Sequence, residues 1–236
     1  MSYRQEYNRS IQQPVEFWGE KAQDLHWFTF PENILSQDSS GIHHWFSDGQ
    51  MNTCYLALDY HIENGRGQQA ALIYDSPVTE TKKTYSYLEL LEEVQKCAGM
   101  LKAQGVKKSD RVIIYMPMIP EAAIAMLACA RLGAIHSVVF GGFAAPELAI
   151  RIDDAKPKVI MIASCGIEIS KIIPYKPLLD NAVDLALHKP KTCIVYQREQ
   201  LQATLVQGRD IDWKSHCEVA EPAHCTPVNG NDLLYI

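Results

Sequence analysis

The sequence predicts an α/β fold, a doubly wound sheet, preceded by an irregular or helical N-terminal extension. Apolar runs of strand length alternate with stretches of helical length, which is the pattern of parallel β-α-β units. Several runs are apolar at successive positions, as expected for strands that are buried on both faces. Glycine follows two of the helical stretches, at Gly105 and Gly133, where it can end a helix in the left-handed conformation.

The predicted extension covers residues 1–61, which are rich in Trp and Tyr and carry loop signals such as Asp38-Ser39-Ser40-Gly41. Within it, residues 52–61 place apolar side chains at helical spacing, and Asn64-Gly65 follows as a helix stop. We expect this helix to lead into the main domain, which takes residues 62–236.

The main domain is predicted to alternate between strands and helices. The expected strands are residues 70–74, 84–86, 111–115, 135–140, 158–163, 192–196 and 233–236. The expected helices are residues 87–104, 120–132, 145–155 and 176–187. One crossover helix separates each pair of buried runs, so Ile113, Val138 and Ile160 should lie on neighbouring strands.

Composition excludes several classes of function. The 236 residues include 22 basic and 28 acidic side chains, which leaves no positive field for nucleic acid or anionic lipid. The longest apolar stretch, residues 122–130, is far shorter than the roughly 20 residues that cross a bilayer. The first residues lack the apolar segment of a secretory signal, so we expect a cytoplasmic protein with no membrane partner.

The seven cysteines are scattered without a CxxC pair, so no disulfide framework is expected. His216-Cys217 and His224-Cys225 could in principle supply four zinc ligands. Adjacent side chains point apart on a strand or helix, and we therefore predict no metal site.

A glycine pair, Gly141-Gly142, lies between an apolar run and the start of a helix near Ala145. Ligands of open α/β sheets bind beyond the carboxyl ends of strands, where glycine permits close approach to the backbone. The pair therefore indicates either a binding edge or a tight turn. An NAD-type site is disfavoured, because the GxGxxG spacing is missing.

Residues 110–143, from Asp110-Arg111-Val112 to Gly141-Gly142-Phe143, resemble acetyl- and propionyl-CoA synthetases of the adenylate-forming superfamily. The resemblance extends to Trp45-Phe46-Ser47-Asp48-Gly49-Gln50-Met51-Asn52 and to Lys83-Thr84-Tyr85-Ser86-Tyr87, and it covers the chain from about residue 10 onward. Residues 151–157 and 173–180 look more like the propionyl branch than the acetyl branch.

The resemblance implies an enzyme that joins propionate or acetate to ATP with Mg²⁺, releases pyrophosphate and passes the acyl group to CoA. In this family a phosphate loop of the form YTSGTTGxPKG follows a strand like residues 233–236, so the chain resembles a piece truncated before that loop. We expect no catalytic residue in this chain, no tightly bound cofactor and no adenylation by the chain alone. The small molecules CoA, ATP and a short-chain carboxylate are the expected partners.

What the chain keeps, on this resemblance, is part of the CoA site. The implied contacts are the glycine turn and a surface loop, that is, Gly141, Gly142, Glu168, Ile169, Ser170 and Lys171. Lysine suits the CoA 3′-phosphate as a flexible point charge. Many relatives carry arginine where this chain has Glu168 and glycine where it has Ile169. Two alternatives stay open: Lys171 is an ordinary solvated lysine, or the chain is a free-standing CoA-binding or regulatory module.

Overall fold

A computed structural model describes residues 2–169 and 171–236. The helices, in chain order, are α1 (Tyr3–Gln12), α2 (Pro14–Ala22), α3 (Thr53–Ala57), α4 (Asp59–His61), α5 (Tyr87–Ala103), α6 (Pro120–Leu132), α7 (Ala145–Ala155), α8 (Tyr175–Leu185) and α9 (Trp213–Glu218). A π-helical turn, Ile62–Arg66, follows α4.

The strands, in chain order, are β1 (Leu35–Gln37), β2 (His43–Trp45), β3 (Gln50–Met51), β4 (Ala70–Ser76), β5 (Thr81–Ser86), β6 (Arg111–Met116), β7 (Ile135–Phe140), β8 (Val159–Ala163), β9 (Cys165–Glu168), β10 (Lys171–Pro174), β11 (Thr192–Tyr196), β12 (Asp210–Asp212) and β13 (Val228–Asn229). The chain divides into two units. The larger one comprises Thr53–Thr226 with Leu233–Ile236, and the smaller one comprises the residues up to Asn52 with Pro227–Asp232.

The larger unit is built on a five-stranded parallel sheet with the order β12-β11-β8-β6-β7. Ile113 on β6 is level with Ile160 on β8, and the next residue of β6 is level with Val138 on β7. The prediction that these three residues lie on neighbouring strands is therefore confirmed.

Helices cover both faces of this sheet, as the doubly wound prediction requires. On β6, Val112 and Ile114 belong to the core that the sheet forms with α5 and α6. The intervening Ile113 and Tyr115 belong to the opposite core, formed with α7 and α8. Because successive side chains of a strand point to opposite faces, an unbroken apolar run supplies both cores.

Strand β7 departs from the expectation that it is buried on both faces. Val138 is 44% exposed and Phe140 is 63% exposed, whereas the alternate Ile135 and Val139 are buried. The strand lies at the sheet edge, and one of its faces has no covering helix among the described residues. The expected strand 233–236 runs parallel beside it but forms only a single bridge, between His136 and Tyr235.

The helices predicted over 120–132 and 145–155 have those bounds as α6 and α7, whereas α5 and α8 differ from their predicted ends by one or two residues. Helix α5 begins at a capping box, in which the Ser86 hydroxyl accepts the Glu89 N–H and Glu89 accepts the Ser86 N–H. Helix α6 ends at Gly133, whose φ of 66° is the left-handed conformation expected there. The helix predicted over residues 52–61 is broken at Leu58 into α3 and α4.

The smaller unit contains two helices that the sequence pattern did not indicate. Helix α1 begins at a capping box between Ser2 and Gln5, and it buries none of its side chains, although Tyr3, Tyr7 and Ile11 recur at helical spacing. The rest of the unit is mostly irregular, with two short antiparallel pairs, β1 with β2 and β3 with β13. Across residues 2–169 and 171–236, every helix is too short or too polar to cross a bilayer.

Gly99 gives a test of the packing behind the sheet. A Cβ on this residue of α5 would lie 2.0 Å from the backbone oxygen of Glu221. Gly99→Ala should lower the free energy of unfolding by about 1–3 kcal/mol in urea denaturation, although alanine favours the helix. Gly19→Ala on α2 is the matched control, since its Cβ meets only the flexible Ile34 side chain at 3.3 Å. Equal stabilities of the two variants would contradict the packing.

Candidate functional site

The candidate site lies where the parallel strands of the larger unit end. The glycine turn at Gly141-Gly142 follows β7 directly, and the hairpin of β9 and β10 follows β8. The carboxyl ends of parallel strands meet at one edge of a sheet, so two segments distant in sequence reach the same edge. The structure thereby brings together the predicted residues Gly141, Gly142 and Glu168.

Tyr115, near the end of β6, fixes the glycine turn. Its hydroxyl donates a hydrogen bond to the backbone oxygen of Phe143 at 2.9 Å and accepts the N–H of Gly142 at 3.2 Å. Burial raises the pKa of this phenol, so it keeps the proton that it donates. The turn is therefore held from beneath by a side chain of the neighbouring strand.

Tyr175, the first residue of α8, joins the turn to the hairpin. A Cβ on Gly141 would lie 2.6 Å from the Tyr175 hydroxyl oxygen, and a Cβ on Gly166 would lie 2.1 Å from it. Tyr175 is buried, which raises its pKa to about 12. Both glycines are required here because the aromatic ring occupies the space that any side chain would need.

Gly142 has a φ of 101°, which favours glycine for backbone reasons as well. A Cβ built on it would approach the Glu168 carboxylate oxygen to 3.4 Å. The turn and the hairpin are thus in near contact, and Glu168 places a negative charge beside the turn. An arginine at this position would reverse that charge.

The segment expected to be a surface loop is a β-hairpin, which corrects that expectation. Lys171 on β10 is paired in register with Glu168 on β9, and both are exposed. The flanking Gly166 and Pro174 lie within the paired strands rather than in a loop. Strand pairing satisfies backbone groups that a loop would leave to water. The predicted contact Ser170 lies outside the described residues.

Ile169 occupies the hairpin tip with a φ of 56° and is 95% exposed. This left-handed conformation is unfavourable for a β-branched residue and would suit glycine better.

Arg198, just beyond β11, is a residue that the sequence analysis missed. It is 9% exposed, and its Nη1 donates to the backbone oxygen of Cys165 at 3.1 Å. It lines a cavity of about 350 Å³ at the strand ends, together with Gly141, Glu168 and Tyr175. Only its position after an apolar strand could have indicated it. The cavity therefore combines a buried cation with apolar and glycine walls.

Two family models match the chain. A model described as AMP-binding enzyme covers residues 60–236, and a model described as acetyl-coenzyme A synthetase N-terminus covers residues 3–57. The first of these alone accounts for well over half of the chain.

Named relatives agree with these matches. The chain is 47% identical over 235 residues to acyl-CoA synthetase short-chain family member 3, mitochondrial, of Homo sapiens, covering 99% of this chain and 34% of that protein. It is 45% identical over 215 residues to propionate–CoA ligase of Escherichia coli, covering 91% of this chain and 34% of that protein. An uncharacterized protein of Pseudomonas aeruginosa is 58% identical over 236 residues, covering 100% and 38%.

The chain thus spans about a third of the length of the curated relatives that it matches. Acetoacetyl-CoA synthetase from Streptomyces lividans has the same fold, with a TM-score of 0.88 at 22% identity, over 100% of this chain and 36% of that one. From the match over residues 60–236, the chain belongs to the AMP-binding enzyme family.

Proposed function

We propose that this chain forms the CoA-binding part of an AMP-forming short-chain acyl-CoA ligase. The complete enzyme would convert propionate or acetate, ATP and CoA into acyl-CoA, AMP and pyrophosphate through an acyl-adenylate. The observation that carries the proposal is the contact of the glycine turn with the hairpin, with Tyr175 between them at the carboxyl edge of the sheet. The relatives named as acyl-CoA synthetase and propionate–CoA ligase support it.

The residues at the carboxyl ends of these strands would each contribute to CoA binding. Gly141 and Gly142 leave the backbone open, and their turn leads into the N-terminus of α7, whose amide dipoles favour anions. Lys171 is exposed on the hairpin and would meet the 3′-phosphate. Arg198 lines the neighbouring cavity and supplies a second positive charge. Glu168 opposes both, so this site would bind CoA less tightly than one with arginine there.

Adenylation, in this proposal, depends on residues outside this chain. No segment of the printed sequence has the form YTSGTTGxPKG, so ATP with Mg²⁺ would be bound by the remainder of a longer protein. We place the domain boundary after residue 61, with 62–236 as the first part of the AMP-binding domain. The two family models, over residues 3–57 and 60–236, support that division.

We favour propionate over acetate as the acid, because the E. coli relative is named a propionate–CoA ligase. The preference follows from kinship and not from a pocket that measures acyl length. The cytoplasmic location expected from composition stays a prediction, since the human relative is named as mitochondrial.

Lys171 offers the direct test of the CoA site. In the full-length protein, Lys171→Ala should raise the KM for CoA several-fold at low salt and less at high salt, because salt screens an exposed ion pair. The KM values for ATP and for the acid should stay unchanged. Lys191→Ala is the matched control, because this exposed lysine precedes β11 and so lies at the amino ends of the parallel strands, away from the candidate site. An unchanged CoA KM at low salt would place CoA elsewhere.

The contact between Gly166 and Tyr175 gives a second test. Gly166→Ala should destabilise the protein by about 1–3 kcal/mol and raise the KM for CoA, because the new methyl group displaces the Tyr175 ring. Tyr175→Leu removes the ring, so the alanine should cost less stability in the double variant than alone. Additive losses of stability in urea denaturation would show that the two residues do not share this space.

The 236-residue chain by itself should show no acid-dependent exchange of pyrophosphate into ATP. The reason is that the family's phosphate loop is missing from its sequence. Radiolabelled pyrophosphate exchange measures this, with the full-length protein as the positive control. Exchange by the isolated chain would mean that its residues bind and activate ATP, contrary to the proposed division of labour.

A further inference from the structure

A second cluster of reactive groups lies away from the candidate CoA site, among helices α3, α4 and α6. It consists of Cys54 on α3, Asp59 on α4, Arg131 on α6 and Cys225 in the segment after α9. The two sulfur atoms and a carboxylate oxygen of Asp59 all lie within 4.8 Å of one another. Residues 54 and 225 are far apart in sequence, so the fold alone brings these two thiols together.

Arg131 places a positive charge against the buried thiol. Its Nη1 lies 3.6 Å from the Cys54 sulfur, and its guanidinium donates to both oxygens of Asp59 at 2.8 and 3.0 Å. The Nε of Arg131 also donates to the backbone oxygen of Ala223 at 2.6 Å, which holds the segment containing Cys225. A cation beside a thiol favours the thiolate, the form that reacts with oxidants.

The two cysteines differ in exposure and in acidity. Cys54 is fully buried, whereas Cys225 is partly exposed. The neighbouring Cys225 thiol and the Arg131 guanidinium lower the pKa of Cys54, whereas the neighbouring Cys54 and burial raise the pKa of Cys225. Because Arg131 lies against its sulfur, Cys54 is the nucleophile, whereas the Cys225 thiol donates to an Asp59 carboxylate oxygen at 3.9 Å.

We propose that Cys54 and Cys225 form an oxidisable dithiol, which a peroxide converts into an intramolecular disulfide. The Cys54 sulfur bonds to one oxygen of hydrogen peroxide, the O–O bond breaks, and water leaves with a proton. Cys225 then attacks the resulting sulfenic acid, the S–O bond breaks, and a second water carries away the Cys225 proton. Two thiols and one peroxide thus give one disulfide and two waters.

The surroundings permit the necessary movement. A disulfide requires the two sulfur atoms to approach to about 2.05 Å. The backbone on either side of Cys225 is held by hydrogen bonds from Ala223 to Gln95 and from Thr226 to Arg131, so the approach comes from rotation of the two cysteine side chains and a small local shift. The partly exposed side of Cys225 is also where a small peroxide would enter.

Metal binding is the competing use of the same groups, and Arg131 argues against it. A cation bound by the two sulfurs and Asp59 would lie against the guanidinium, which already contacts Asp59 and Cys54. Like charges at such distances are unfavourable. The arrangement therefore favours thiolate chemistry over a metal.

The chain contains its own comparison pair, Cys97 and Cys217. Both are buried and lie near each other, and the Cys217 thiol donates to the Met100 sulfur at 3.9 Å. Burial and the neighbouring Cys217 raise the pKa of Cys97, opposite to the effect on Cys54. We expect this second pair to resist the same oxidant, because Cys97 is fully buried and its thiol stays protonated.

The test is to treat the folded chain with hydrogen peroxide, block the remaining thiols by alkylation and digest it without reduction. Mass spectrometry should find a cross-linked peptide pair containing Cys54 and Cys225, lighter by two hydrogen atoms and reversed by dithiothreitol. The melting temperature of the oxidised chain should rise by several degrees, because a cross-link between distant residues restricts the unfolded state.

Two variants distinguish formation of the Cys54–Cys225 disulfide from general thiol oxidation. Cys225→Ser should leave Cys54 as a sulfenic acid that dimedone labels, whereas the control Cys193→Ser should give the same cross-link as the unmodified chain. Oxidation that joins Cys97 to Cys217 to an equal extent would overturn the proposal. So would untouched thiols at 54 and 225, or protection from peroxide by bound zinc.

Discussion

The three central strands β6, β8 and β11 are buried on both faces, and this confines chemistry to the ends of the strands. A buried polar side chain must find a hydrogen-bond partner, so such a sheet accepts mainly apolar residues along its length. Polar groups that act on ligands can therefore appear only where strands stop. Glu168 and Arg198 lie just beyond β8 and β11 and fit this constraint, as does the glycine turn after β7.

At that edge a single aromatic side chain sets the geometry. Tyr175 occupies the space beside Gly141 and Gly166, so the turn and the hairpin are both fitted to its ring. Tyr115 adds two hydrogen bonds from below. Each tyrosine thus acts together with a glycine position. Tyr175 fills the space that Gly141 and Gly166 leave open, and Tyr115 accepts the N–H of Gly142. The base of the site is thus rigid because its glycines have no side chains, which lets Tyr175 pack closely against them. The shape of the site therefore depends on Tyr115 and Tyr175, which need not touch a ligand.

The sequence was sufficient for the sheet and for most helices of the larger unit, because unbroken apolar runs and helix stops such as Gly133 are local signals. It failed to locate α1, because Tyr3, Tyr7 and Ile11 recur at helical spacing but are too few in an otherwise polar segment to stand out. It also failed for the exposed face of β7, since an apolar run does not reveal whether Val138 is covered. Tyr115 and Tyr175 were missed because an aromatic residue within an apolar stretch looks the same as core.

The hairpin tip has a consequence for motion. An isoleucine in the left-handed region costs roughly 1–2 kcal/mol, and at 95% exposure Ile169 recovers almost none of it through burial. The backbone at Ile169 is therefore strained, whereas the base of the hairpin is well packed. Segments with strained backbone and little burial unfold locally before the rest of the protein, on timescales much shorter than global unfolding. The backbone at Ile169 should accordingly be easier to distort than the base of the hairpin, which packs against Tyr175.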